Sequence, residues 1–94
     1  MRIGVFSQPT TVDKGVEHAR LFADAGFVSF WMPQIFGLDA LTTLAVVGRE
    51  VPGIELGTAV VPTYPRHPSM LAAQARTVQQ VTGGRFTLGI GLSH

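Results

Sequence analysis

The fold of this protein is decided by stretches such as IELGTAVV, residues 54–61, in which one charged residue stands among apolar and small ones. A strand covered on both faces has this nearly continuous apolar character, whereas a strand with one face in water alternates apolar and polar residues. Pro52 and Gly53 precede the stretch and Pro62 follows it, so both of its ends interrupt regular structure. The stretch therefore predicts an internal strand of a parallel sheet.

Three further stretches have the same character, and we predict strands at residues 2–8, 27–32 and 85–92. The four strands start roughly 25 to 30 residues apart, which is the length of a βα unit. The apolar stripe of residues 12–25 predicts a first helix between them. A second helix is predicted from about Asp39, which suits the N-cap, and a third from Pro68, which suits the first helical position.

Two common architectures are built from alternating strands and helices with a parallel sheet: the open doubly wound sheet and the (β/α)8 barrel. A barrel needs roughly 250 residues, and this chain has 94. A predicted fourth strand without its helix would leave a sheet edge uncovered. The count therefore favours one partial domain over residues 1–94, truncated from a longer protein.

Composition excludes several classes of function. The chain is 46% hydrophobic and 14% charged, with a net charge of +1, which argues against disorder and against nucleic-acid binding. It has no cysteine, so disulfides and thiolate chemistry are excluded. No apolar stretch reaches the roughly 18 residues of a membrane span, and the start of the chain does not look like a signal peptide, so we expect a cytoplasmic protein.

The mean hydropathy of +0.30 is high for so short a chain, because a small domain is mostly surface. Part of that surface is expected to be covered. One alternative, of a non-catalytic class, is therefore a half-barrel that forms a homo-oligomer and has a binding or structural role.

Candidate site residues lie where the predicted strands end, because both architectures bind ligands at the carboxyl ends of their strands. The polar side chains predicted at this edge are those of Gln34, Tyr64, Arg66, His67, Ser93 and His94. His67 has three interpretations: a catalytic group, a partner of Arg66 in anion binding, or a residue that starts the third helix. His94 is a candidate for facing the active site, whereas His18 is interpreted as a solvated surface group. No histidine pair has metal-binding spacing on one helix, so no metal site is predicted.

Gly89 and Gly91 resemble the start of a dinucleotide-binding loop, but the third glycine is missing and no helix follows. Since both glycines point to one face of a strand, they are expected to let a backbone or a flat ligand approach closely. Ala59 and Val60 are small residues at the end of the third strand, where a planar ring could lie against the backbone.

Four segments together resemble the N-terminal part of the luciferase-like monooxygenase superfamily in order and spacing. They are RIGVF (2–6), GFVSFWMPQ (26–34), IELGTAVVPTYPRHP (54–68) and LAAQARTVQQVTGGRFTLGIGLSH (71–94). The nearest branch uses the deazaflavin coenzyme F420, and another branch uses FMN. The resemblance implies an α/β fold in which this chain forms the N-terminal half of a (β/α)8 TIM barrel, with four parallel strands and three helices.

The resemblance also implies a site. A flavin-type ring would lie at the carboxyl end of the barrel, backed by a bulge with a non-proline cis peptide bond, which here would join Ala59 to Val60. Gly91, Ser93 and His94 would line the same pocket. Later strands of the barrel would hold the phosphate groups, so the 94 residues alone are expected to have little or no activity.

The implied activity is hydride transfer between coenzyme F420 and a small organic substrate, and an FMN-dependent monooxygenase is the alternative. Some members carry a histidine base after the second strand, where this chain has no titratable group at residues 33–36. The candidates for proton transfer are therefore His94, His67 and Tyr64. Gln34, Tyr64 and Arg66 are candidates for substrate contact.

Overall fold

The three helices lie between the predicted strand segments, two of which are each divided into two short strands. The computed structural model describes residues 2–34 and 37–92. The strands are β1 Gly4–Phe6, β2 Ser29–Met32, β3 Glu55–Thr58, β4 Val61–Pro62, β5 Phe86–Thr87 and β6 Ile90–Gly91. The helices are α1 Val12–Asp24, α2 Ala40–Glu50 and α3 Pro68–Val81.

Four parallel strands form the main sheet in the order β1-β2-β3-β5, and β4 and β6 form a second, parallel pair. The prediction of four parallel strands and three helices is thus confirmed. The predicted third and fourth strands, however, are not continuous. Residues 59–60 separate β3 from β4, and residues 88–89 separate β5 from β6, so both strands are interrupted at the same level of the sheet.

Each helix begins at a side chain that accepts a hydrogen bond from a backbone N–H of the first turn. Thr11 caps α1 through the N–H of Lys14, at 3.1 Å, and Asp39 caps α2 through the N–H of Thr42, at 2.9 Å. His67 caps α3, and Pro68 follows it at the first helical position. Such caps satisfy donors that have no partner inside the helix.

The core lies between the helices and one face of the sheet. Phe30 and Met32 of β2 are buried there with Leu56 of β3 and with Leu44 and Val47 of α2. These side chains belong to a single apolar cluster to which all three helices contribute. Burial of this cluster is the main favourable term that holds the helices on the sheet.

The opposite face of the main sheet has no helix packed on it within residues 2–34 and 37–92. In the described part of the chain the helices thus cover one face of the sheet. Trp31 lies on this face, half-buried, and a side chain at Gly57 would overlap its ring. Phe6 lies on the same face and is 60% exposed. In a (β/α)8 barrel this face points into the barrel, where side chains of other strands fill it.

Arg85 joins the ends of two helices to the sheet at the amino ends of the strands. Its guanidinium donates hydrogen bonds to carbonyl oxygens of Gly48 and Val51 at the end of α2, at 2.7 and 3.2 Å. It also donates to the carbonyls of Thr82 and Ile54, each at 2.7 Å. The last carbonyls of a helix lack intrahelical partners and carry partial negative charge, so a cation here stabilises both helix ends.

Candidate active site

The interruption between β3 and β4 is a bulge of one residue. Gly57 pairs with Thr87 before it, and Val61 pairs with Ile90 after it. Three residues, 58–60, therefore face two residues, 88–89. An extra residue of this kind leaves the regular ladder, and such bulges occur often beside active sites.

The peptide bond between Ala59 and Val60 is cis, as the resemblance implies. That expectation is confirmed. The bond lies inside the bulge, at the carboxyl end of β3, on the edge where ligands bind in parallel sheets covered by helices.

The side chain of Thr58 forms hydrogen bonds across the bulge to the neighbouring strand, which the sequence did not indicate. Its hydroxyl accepts a hydrogen bond from the N–H of Gly89 at 2.9 Å and donates one to the Gly89 carbonyl at 2.8 Å. A side chain at Gly89 would overlap the carbonyl oxygen of Thr58. The close approach of a backbone to Gly89 is thus confirmed, and the backbone is that of the neighbouring strand.

The surface of the bulge suits a flat polar ring. Ala59, Val60 and Gly91 are small and half-buried, and a side chain at Gly91 would crowd Val60. Within residues 2–34 and 37–92, no group forms a hydrogen bond with the Ala59 carbonyl or the Val60 N–H. A peptide acceptor and donor are therefore available beside a small apolar surface, which fits a heteroaromatic ring whose edge has both functions.

Gln34 joins the bulge to the start of α2. Its backbone N–H donates to the Val60 carbonyl at 3.1 Å. Its side chain donates to the Leu38 carbonyl at 3.2 Å and accepts from the N–H of Ala40 at 2.6 Å. The side chain proposed for substrate contact thus spans the residues between β2 and α2.

Arg66 forms an ion pair with Asp39 and also donates to the side chains of Gln34, at 3.3 Å, and Gln74, at 2.9 Å. Its side chain is only 17% exposed. Partial burial raises the pKa of Asp39, but hydrogen bonds from Thr42 and Arg66 and the charge of Arg66 lower it by more, so the net pKa shift is downward. The structure thus brings Gln34 and Arg66 together, and Asp39, expected only as a helix cap, joins them.

The remaining candidates are more scattered. The Nδ1 atom of His67 accepts from the N–H of Ser69 at 3.1 Å, which confirms its interpretation as the residue that starts α3. Tyr64 is 92% exposed. Ser93 and His94 lie outside the described residues. The prediction of a solvated His18 is wrong, because its ring is half-buried and its Nδ1 lies 3.2 Å from the Ser7 hydroxyl.

Comparison with known families decides the membership of the chain. A family model described as luciferase-like monooxygenase matches residues 1–94. The chain belongs to the luciferase-like monooxygenase family. The resemblance in its four sequence segments and the expected cis bond in its bulge agree with this assignment.

Known members of the luciferase-like family use two kinds of ring cofactor. A protein named as a coenzyme F420-dependent oxidoreductase of Mycobacterium tuberculosis is 39% identical over 79 residues, covering 81% of this chain and 23% of that protein. The coenzyme F420-dependent tetrahydromethanopterin reductase of Methanopyrus kandleri has a TM-score of 0.85 at 24% identity, over 96% of this chain and 26% of that one.

An FMN complex also matches. The oxygenating constituent of 3,6-diketocamphane monooxygenase from Pseudomonas putida, a type II Baeyer-Villiger monooxygenase, has a TM-score of 0.89 at 19% identity, over 100% of this chain and 30% of that one. These structures confirm the luciferase-like TIM-barrel fold. The chain spans about a quarter of the length of the proteins that it matches.

No helix in residues 2–34 and 37–92 is long and apolar enough to cross a membrane. The same part of the chain holds no cluster of histidine, aspartate or glutamate side chains that could bind a metal ion.

Proposed function

We propose that this chain forms part of the active site of an oxidoreductase that transfers a hydride between coenzyme F420 and a small organic substrate. The observation that carries the proposal is the bulge at residues 58–60, whose 59–60 peptide group has no hydrogen-bond partner within residues 2–34 and 37–92 and lies beside a small apolar surface. The F420-dependent relatives support the choice of cofactor.

The residues assigned to the cofactor are Ala59, Val60, Gly91 and Ser93. The first three have small side chains, so a flat ring can lie close to their backbones. When bound, the deazaflavin ring supplies or accepts the hydride. The task of these residues is to hold the ring in one orientation and to exclude water from one of its faces.

Proton transfer is assigned to His94 and His67, and substrate contact to Gln34, Tyr64 and Arg66. Because the Nδ1 of His67 accepts a hydrogen bond from the Ser69 N–H, the exchangeable proton of a neutral His67 ring lies on Nε2. The Nε2–H can donate a hydrogen bond to a substrate while Nδ1 caps α3, whereas a proton can be accepted only at Nδ1, at the cost of the cap. The guanidinium of Arg66 forms an ion pair with Asp39, so a contact with substrate would be made by an arginine whose charge is already paired.

An FMN-dependent monooxygenase is the second candidate, because the structure of the FMN-bound type II Baeyer-Villiger monooxygenase matches the whole chain with the same fold. The two candidates share the ring surface and differ in the ring that it holds.

A binding measurement tests the proposal on the ring surface itself. The 94-residue chain is titrated with the phosphate-free deazaflavin chromophore of F420 and, separately, with lumiflavin, and each is followed by fluorescence. We expect the deazaflavin to bind more tightly. Tighter binding of lumiflavin would favour the monooxygenase, and binding of neither ring would overturn both candidates.

A pair of variants localises the binding. Ala59→Leu fills the proposed ring surface and should weaken binding about tenfold. Ala72→Leu makes the same change at an exposed position of α3 and should leave it unchanged. Equal effects of the two variants would place the ring elsewhere. We also propose that the 94 residues alone turn over little or no substrate, which a measured rate of F420 reduction would contradict.

A further inference from the structure

The hydroxyl of Thr58 occupies an unusual place in the bulge. An extra residue in a strand is normally left unpaired and disrupts the ladder around it. Here both backbone groups of Gly89 bond to one hydroxyl, at 2.9 and 2.8 Å. The Gly89 carbonyl also accepts from the N–H of Val61 at 2.9 Å, so Thr58 is the partner that the Gly89 N–H depends on.

The side chain of Thr58 can hold only one orientation while it makes both bonds. It is 1% exposed, so water cannot readily replace either partner. A hydroxyl has one proton to donate and lone pairs to accept with, and the two bonds use both functions on a single residue of the partner strand. The position of Thr58 relative to Gly89 is therefore defined on this side of the bulge.

The other side of the bulge is held by β2. The Ala59 N–H donates to the Met32 carbonyl at 2.8 Å, and the Val60 carbonyl accepts from the Gln34 N–H at 3.1 Å. The peptide group between Ala59 and Val60 thus lies between two anchored points. The carbonyl of Ala59 and the N–H of Val60, which make up this peptide group, take no part in these bonds. Their direction is set by the hydrogen bonds on either side of the peptide group.

We propose that Thr58 is a positioning residue, whose hydroxyl sets the direction in which the 59–60 peptide group faces the ring of the cofactor. This inference rests on the proposed function, because the direction of the peptide group matters to activity only where a cofactor ring binds at the bulge. Thr58 does not contact the ring. It acts through the backbone of the two residues that do.

The first experiment needs no cofactor. Amide chemical shifts and hydrogen exchange are measured by NMR in Thr58→Val, Thr58→Ser and Thr82→Val. Thr82 is the matched control, because it is equally buried and its hydroxyl donates to the Val78 carbonyl at 2.9 Å, at the far end of α3. Thr58→Val should shift the amides of Val60 and Gly89 and speed the exchange of Gly89, whereas Thr58→Ser and Thr82→Val should not.

The second experiment uses the phosphate-free deazaflavin and only those variants whose far-ultraviolet circular dichroism matches that of the unsubstituted chain. We expect Thr58→Val to weaken binding about tenfold, Thr58→Ser to restore it and Thr82→Val to leave it unchanged. A purely structural hydroxyl would lower the stability of both valine variants but leave their affinity alike, and that result would overturn the inference.

The two proposals fail in different ways. If the unsubstituted chain does not bind the ring, the proposed function is wrong, and the NMR experiment still decides whether Thr58 orients the peptide. If the chain binds the ring and Thr58→Val binds it equally well, the proposed function stands and Thr58 is not a positioning residue.

Discussion

Arg85 offers a direct test of how the helices are attached to the sheet. The substitution Arg85→Met keeps a side chain of similar length and removes the guanidinium. Three of its hydrogen bonds, to the carbonyls of Gly48, Ile54 and Thr82, measure 2.7 Å. Each such bond contributes about 1 kcal/mol net, because water replaces part of what is lost. We therefore expect Arg85→Met to lower the free energy of unfolding by about 3 kcal/mol.

The loss is measured by urea denaturation, followed by far-ultraviolet circular dichroism and by the fluorescence of Trp31. For a chain of this size it corresponds to a melting temperature about 15 °C lower. Arg49→Met is the control, because Arg49 is exposed on α2 and should change stability by less than about 0.5 kcal/mol. Arg85→Lys should lie between the two, since an ammonium lacks the planar fork. Equal urea midpoints for Arg85→Met and Arg49→Met would refute the reasoning.

Three further predictions concern other parts of the fold. Gly89→Ala brings a methyl group against the Thr58 carbonyl and should cost about 2 kcal/mol in urea denaturation; an unchanged midpoint would show that the strands are not so close. The pKa of Asp39 is lowered from 3.8 in the folded protein, so its charge stabilises the fold above that pH, and the contribution is lost as pH falls through the folded-state pKa. Asp39→Asn should therefore be less stable than the parent chain at neutral pH, and thermal unfolding should show the difference shrinking in acid; a difference independent of pH would contradict the ion pair with Arg66. Leu44→Ala empties a fully buried position and should cost about 3 kcal/mol, whereas a loss below about 1 kcal/mol would mean that the core there collapses into the space.

The order of strand and helix segments could be predicted because it depends on local patterns. Thr11 and Asp39 cap helices through residues three positions further along the chain, and such short contacts are visible in the sequence. Phe30 and Trp31 are successive residues of β2, and Phe30 lies in the core whereas Trp31 lies on the opposite face, because successive strand residues point to opposite faces.

The interruption of the third strand could not be predicted from the residues alone. Residues 59–61 are alanine and two valines, which a continuous strand accepts as readily as a bulge does. The extra residue exists only in relation to the partner strand, so it has no local signature. The cis bond at this place was expected through the family resemblance.

The candidate site could also be predicted from the sequence only in part. The carboxyl ends of the strands could be named from the sequence, since parallel topology brings them to one edge. The hydrogen-bond and ion-pair partners of the residues at this edge could not be predicted. Arg66 reads as a loop residue available to substrate, yet its guanidinium is held by Asp39, 27 positions away.

The sequence by itself determined the order of strand and helix segments, the role of Asp39 at the start of the second helix and the family to which the chain is similar, since these depend on neighbouring residues and on short motifs. Only the tertiary structure decided that the hydroxyl of Thr58 bonds to Gly89, 31 positions away. It also decided that the strand of Thr58 has one residue more than the strand of Gly89 at this place. The physical reason is that a hydrogen bond depends on the distance between two groups in space, and register between strands is set by packing of the whole sheet against its helices.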